Sequence, residues 1–305
     1  MLADTMTERL LPTISKCGLQ ILREALGLSK LADASPWSQS FLLSIDFENT
    51  DNIRCGFTRG KECQVGLATL DTIDLQTADL SLSKDIVKTY NYVSGSSEYV
   101  DKVAKKFLFG ESVVVNSATI LETIQSIIPQ DQNRRIVLIS HGAHVELAML
   151  RALGYRFSTN IDVVDTFLVA QEAFGYCHHS LIGLLRRLKC PYNSLHVGGN
   201  DARFTLNACL LLALYKYECN ENTMALTSYL TEMATGGIAA DLQFKAAQNK
   251  RKKEKKLARL RKRKAISRSI EEQHRLRVER ATKKSSIVTD NLADVCMSLN
   301  FFAIE

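Results

Sequence analysis

A chain of 305 residues, 46% hydrophobic and 24% charged, is long enough to bury one sizeable core with appended segments, since domains commonly run about 100 to 200 residues. A membrane-embedded or secreted protein is not expected. The longest apolar run, Ala208 to Tyr215, falls far short of the roughly 20 residues that cross a bilayer, and Asp4 and Glu8 stand where a signal peptide needs a basic start. The net charge of +6 hides a segregation: residues 245–284 hold 18 Lys or Arg and 4 Glu, which leaves 21 basic and 29 acidic residues elsewhere.

In chain order, residues 1–40 read as a lead-in helix, amphipathic from about Leu10 to Leu31 and closed by the loop signal Asp33-Ala34-Ser35-Pro36. Phe41 to Phe47 is an apolar strand ending in an acidic pair. Ile53 to Thr58 and Cys63 to Leu70 read as two further strands, and three successive strands at this spacing suggest an antiparallel meander. Ile120 to Ile128 reads as a helix, Arg135 to Ser140 as a fully buried strand, and Val145 to Leu153 as a helix apolar on one face. Ile161 to Val164 is another strand, ending at Asp165-Thr166. Ser180 to Leu188 and Ala202 to Tyr217 follow as helices.

Strands followed by alternating helices and strands predict an α/β fold, a mixed sheet flanked by helices. The expected organisation is a main domain over 41–218, a linker or helix over 219–244, a basic helical arm over 245–284 and a tail over 285–305. From Ala239 to Val288 there is no Gly or Pro, and the apolar positions hold no a/d repeat over three heptads, so the arm reads as a polar helix rather than a coiled coil.

Three segments carry residues with chemistry. In a strand, alternate side chains share a face, so Asp46 and Glu48 project together while Ile45 and Phe47 enter the core. Two carboxylates on one face invite a divalent cation. The second segment is His141-Gly142-Ala143-His144-Val145-Glu146 and the third is His196-Val197-Gly198-Gly199-Asn200-Asp201. Asp46, Ser140-His141 and Asp165 all fall at predicted strand ends, where ligand-contacting groups gather in mixed sheets. Taken alone, Asp46 and Glu48 are what a solvated strand end shows, Glu146 is an ordinary first-turn acid favoured by the helix dipole, and His196 is a loop or capping histidine. It is their joint order that points to one metal site.

The same order resembles the DEDDh 3′-to-5′ exonucleases of the ribonuclease H-like fold. More narrowly it is similar to a fungal group of DEDDh-like proteins typified by a yeast factor associated with mRNA export. The likeness covers roughly residues 41–218 and rests on Ser44-Ile45-Asp46-Phe47-Glu48, Val65 to Thr72, Phe107 to Ser112, Asp165-Thr166, and His196 to Leu206. It implies two Mg²⁺ or Mn²⁺ ions held by Asp46, Glu48, Glu146 and Asp201, with Asp46 bridging both and Glu48 on the ion that activates water. His196 would be the general base. One motif departs from the family: where the resemblance leads one to expect His-Asn and then Asp, this chain has His141-Gly142 and Glu146. The extra methylene moves the carboxylate by about 1.5 Å, and displacements near 1 Å cost roughly 100-fold in rate. An inactive RNA-binding adaptor or scaffold therefore stands beside the enzyme as an alternative.

The eight cysteines show no CxxC spacing, which argues against a disulfide framework and for a reducing compartment, nuclear and/or cytoplasmic. Cys177, His178, His179 and Cys190 hint at zinc, but their spacing matches no standard finger, and core burial suits the cysteines better. In the arm, Lys250, Arg251, Lys252, Lys253, Lys255, Lys256, Arg259, Arg261, Lys262, Arg263 and Lys264 crowd into fifteen positions, which points to a nucleic-acid partner held by backbone attraction. No aromatics interleave, so base stacking is not expected. A nuclear-import signal or a plain solvated helix would show the same charge run. RNA is favoured over DNA, and an RNA-processing or export complex is what the resemblance implies.

Overall fold

The computed structural model describes residues 12–29, 35–77, 86–131, 133–175 and 180–236, together with 257, 259–261 and 271. Six strands form one mixed sheet in the order β4-β3-β2-β1-β5-β6. They are β1 (Phe41–Glu48), β2 (Cys63–Asp71), β3 (Lys88–Ser94), β4 (Ser112–Val114), β5 (Ile136–Ser140) and β6 (Ile161–Asp165). β1 and β2 are antiparallel over their whole length, with Asp46 opposite Gly66 and Glu48 opposite Gln64. On its other edge β1 runs parallel to β5, but only from Phe41 to Ser44. The acidic end of β1 therefore extends past β5 and has a strand on one side only.

Alternation along β1 divides the core. Phe41, Leu43, Ile45 and Phe47 pack on the face covered by α5 (Ile120–Ile127) and α6 (His144–Ala152). Leu42 faces the other way, onto a larger cluster supplied by α1 (Gly18–Ala25), α7 (Thr166–Phe174), α8 (Leu181–Arg187), α9 (Gly198–Leu214) and α10 (Glu221–Thr235). Helix α9 runs across the sheet with nearly every residue buried. Its glycine start permits this: Gly198 lies on the backbone of Gly66, and a side chain at Gly199 would collide with Phe107 and Asn91. Gln64 Oε1 accepts from Gly198 N at 3.1 Å and Asn91 Oδ1 from Gly199 N at 3.0 Å, so two buried side-chain amides of the sheet satisfy the first backbone amides of the helix.

The mixed sheet with helices on both faces is the ribonuclease H-like arrangement. No helix among the described residues is long and apolar enough to cross a membrane. Several element expectations need correction. Ile53 to Thr58 is not a strand: it is the end of the short helix α2 (Thr50–Arg54) and a turn in which Gly56 and Phe57 both have φ of 60°. The third strand of the meander is β3, whose half-exposed start hides its alternation. Helix α9 begins at Gly198 rather than Ala202, and the N-terminal helix is confined to Gly18–Ala25. Helices α3 (Thr72–Thr77), α4 (Ser97–Ala104) and α7 and strand β4 carry no clear signal in the sequence.

Candidate metal centre

Three elements deliver the acids, β1, α9 and α6. β1 presents Asp46 and Glu48 on the α9 side of the sheet, and α9 presents Asp201 in its first turn. The segment before α9 is clamped to it, because Asp201 Oδ2 accepts from His196 N at 3.0 Å while His196 holds a left-handed φ of 65°. Ligand atoms of Glu48, His196 and Asp201, one from each, lie within 4.8 Å of one another. His196 Nδ1 is 3.7 Å from Glu48 Oε1, and its side chain is 83% exposed against 25% for Glu48. Such a ring is accessible from one side and braced on the other.

Glu146 joins from the first turn of α6, 6% exposed. Electrostatics tie it to the others. Burial holds the Asp46 carboxyl well above the usual carboxylate range, and the charges of Asp201, Glu146 and Glu48 push it the same way. Burial also raises Asp201 to about 7, opposed by the His196 amide and reinforced by Glu48. Glu146 is raised to about 7, again by burial first, with its own backbone amide opposing and Asp165 adding repulsion. Glu48 is raised by burial and lowered in part by His196.

Three of these acids each keep a buried oxygen with no hydrogen-bond partner among the described residues: Asp46 Oδ2, Glu146 Oε2 and Asp201 Oδ1. Native proteins rarely leave buried carboxylate oxygens unpaired, because each forfeits its hydration without replacement. A divalent cation would satisfy hard oxygen donors and relieve their mutual repulsion at once. The residues present thus fit a metal.

Asp165 has a different job. Its Oδ1 accepts from Gly142 N and Phe167 N, both at 2.9 Å, and its Oδ2 from Ala143 N at 3.0 Å. It caps α7 and pins the β5–α6 turn that carries Glu146. His141 is half-buried with Nδ1 2.8 Å from Thr166 Oγ1, and His144 is exposed at the start of α6. Neither belongs to the group of Glu48, His196 and Asp201. Cys190 is buried with its thiol pushed up to about 12, while Cys177, His178 and His179 lie outside the described residues.

Sequence reasoning missed the supporting amides Gln64 and Asn91. Their only signal is local: Gln64 stands between Cys63 and Val65, and Asn91 between two tyrosines. Of the basic cluster, Arg259 and Arg261 are helical and exposed; Lys250, Arg251, Lys252, Lys253, Lys255, Lys256, Lys262, Arg263 and Lys264 lie outside the described residues. Residues 243–305 form a unit of their own.

No curated protein matches the chain. Residues 41–212 match the family model of the DNA polymerase III subunit epsilon-like, C-terminal domain, of DEDDh type. That span is more than half of the chain and contains the acidic ring, and the chain belongs to this family of DEDDh exonuclease-like domains.

Proposed function

We propose that this protein is a metal-dependent nuclease that shortens nucleic-acid strands from the 3′ end. The observation that carries the reading is the trio of buried, partnerless oxygens on Asp46, Glu146 and Asp201. Asp46, Glu48, Glu146 and Asp201 would hold two Mg²⁺ or Mn²⁺ ions. Bound there, such ions lower the pKa of water and offset charge developing on the phosphate.

The residues do the rest. His196 stands with Nδ1 near Glu48 and its ring largely exposed, and in this reading its Nε2 takes the proton of the attacking water. As the water oxygen bonds to phosphorus the P–O3′ bond breaks, so the last nucleotide leaves with a 5′-phosphate and the strand keeps a 3′-hydroxyl. Glu48 stabilises the protonated imidazole. The acidic body needs a counterweight to hold a polyanion, and the eleven basic residues between Lys250 and Lys264 supply one by backbone attraction. The likeness to the fungal mRNA-export-associated group favours RNA over DNA and a place in RNA processing or export.

A second reading is favoured by Glu146 itself. Its carboxylate is one methylene longer than the aspartate of the family pattern, which moves the oxygens by about 1.5 Å, and a shift near 1 Å costs roughly 100-fold in rate. On that reading the fold binds RNA as an adaptor with little cleavage. The deciding experiment incubates purified protein, Mg²⁺ or Mn²⁺ and an end-labelled single strand. Progressive shortening that Asp46→Ala abolishes supports the enzyme. Binding without shortening overturns it in favour of the adaptor.

A further inference from the structure

Beside the acidic ring stands a tyrosine that neither the motifs nor the metal chemistry assigns. Helix α4 starts at an N-cap, Ser96, whose hydroxyl accepts from Tyr99 N at 3.4 Å and donates to Glu62 Oε1 at 2.9 Å. Gly95, with φ of 143°, comes so near the Tyr99 ring that a Cβ there would stand 3.0 Å from Cδ1. Tyr99 packs against the cluster of Val93, Val103, Phe107 and Val197, so the side chain is fixed and its hydroxyl has a set address.

That address is the rim of the site. Asn49, the residue after Glu48, donates from Nδ2 to the Tyr99 hydroxyl at 2.9 Å, and Gln64, opposite Glu48 on β2, donates from Nε2 at 3.2 Å. The orientation of Gln64 is set independently, because its Oε1 accepts from Gly198 N. A phenol oxygen has two acceptor positions and one proton. With the Asn49 amide in this orientation both acceptor positions are taken, and no acceptor for the proton is found among the described residues. Such a hydroxyl cannot serve as a metal ligand, since its lone pairs are engaged, but it is a ready donor to an incoming oxygen. Burial, with the nearby Cys63, Glu48 and Glu62, raises its pKa, so the proton stays in place at neutral pH.

We infer that Tyr99 is a substrate-contacting residue whose hydroxyl donates to a sugar–phosphate oxygen of the strand end seated over Glu48. The inference rests on the nuclease reading for its substrate. Its geometry is independent of the metal, because the amides that hold the hydroxyl come from Asn49 and Gln64 rather than from the acids.

The test is Tyr99→Phe in the full chain, which keeps the ring and removes one hydroxyl. With Mn²⁺ and end-labelled single-stranded RNA, kcat/KM should fall about 10-fold or more, the usual effect of losing a hydrogen bond to a charged acceptor. Affinity for Mn²⁺, titrated without strand, should stay at the parent value. Parallel arms identify the acceptor. A penalty equal on RNA, DNA and a 3′-deoxy strand assigns a phosphate oxygen, one absent only on DNA assigns the 2′-hydroxyl, and one absent only on the 3′-deoxy strand assigns the terminal hydroxyl. An unchanged kcat/KM on RNA overturns the inference. So does a loss that tracks weakened Mn²⁺ binding, for Tyr99 would then act only by bracing Gln64 and α9. A parent protein that never cleaves sinks the nuclease reading instead, and equilibrium binding of the same strands then decides: about 10-fold weaker for the variant supports the contact, and equal affinity overturns it.

Discussion

Gly66 and Gly198 meet backbone to backbone: a methyl group added at Gly66 would stand 1.8 Å from the Gly198 carbonyl carbon. Gly66 is also the register partner of Asp46, and Gly198 opens the helix that carries Asp201. The spacing between two acids from distant parts of the chain is thus set by the absence of two side chains. Gly66→Ala should push α9 off the sheet and destabilise the fold by about 1–3 kcal/mol, as overpacking does. Chemical denaturation measures that loss, and a titration with Mn²⁺ should show weaker binding in the same variant.

Metal removal and pH should act together. Asp201 and Glu146 titrate at about 7 in the folded chain against ordinary values of 3.8 and 4.5. A raised folded value means that their contribution to stability is fully present below about pH 4, declines as pH rises, and is gone above about 7. In EDTA the thermal midpoint should be lower at pH 8 than at pH 5.5. Adding Mg²⁺ or Mn²⁺ at pH 8 should restore it, because a cation compensates the charges that pH exposes. A midpoint indifferent to both would count against a cation site.

Asp165 holds the turn that carries Glu146 through three backbone amides. Asp165→Asn turns an acceptor into a donor that faces one of those amides, and hydrogen bonds to a charged group contribute about 1.5–3 kcal/mol each. A stability loss of about 2 kcal/mol in urea is expected, together with a drop in metal affinity as Glu146 loses its support.

Glu146→Asp probes the departure from the family pattern directly. Shortening the side chain by one methylene should raise cleavage on the order of 100-fold if the longer acid misplaces a cation. Single-turnover rates at saturating protein read this without interference from binding. No gain in a protein that already cleaves would show that Glu146 is accommodated. No gain in an inert one would remove the catalytic assignment.

Deleting residues 245–284 removes 18 basic residues. The dependence of strand affinity on salt should flatten by about 0.7 in logarithmic slope for each phosphate that the arm neutralises. Fluorescence anisotropy across a salt series measures it, and an unchanged slope would assign phosphate binding to the acidic body instead.

The parts of this fold that are legible from residues are those where one rule suffices. The run Ile136 to Ile139 is wholly apolar because β5 lies between β1 and β6 with both faces covered. Phe41 to Phe47 reads as a strand because its apolar and polar positions alternate toward its end. The start of α9 is not legible, since Gly198-Gly199-Asn200 carries every sign of a loop. Only the tertiary approach of Gly66 and Asn91 makes that stretch helical. For the same reason Gln64 and Asn91 escape a reading by motif, as their value depends on a helix more than a hundred residues away. Motif order singles out Asp46, Glu48, Glu146, His196 and Asp201, and folding places these five in one neighbourhood. Asp165 also ends a strand, and its work as a capping acid is read only from the backbone amides that it accepts.

The placement of His196 has a thermodynamic consequence. Its main chain is latched by a bond to the very carboxylate it sits beside, while its ring projects almost wholly into solvent. Swinging the imidazole in or out then requires only rotation about side-chain torsions, with no movement of the peptide, and it makes or breaks the contact with Glu48 alone. The latch to Asp201 stays closed whichever way the ring turns, so under the proposed function the imidazole can change its station without loosening the segment that leads into α9.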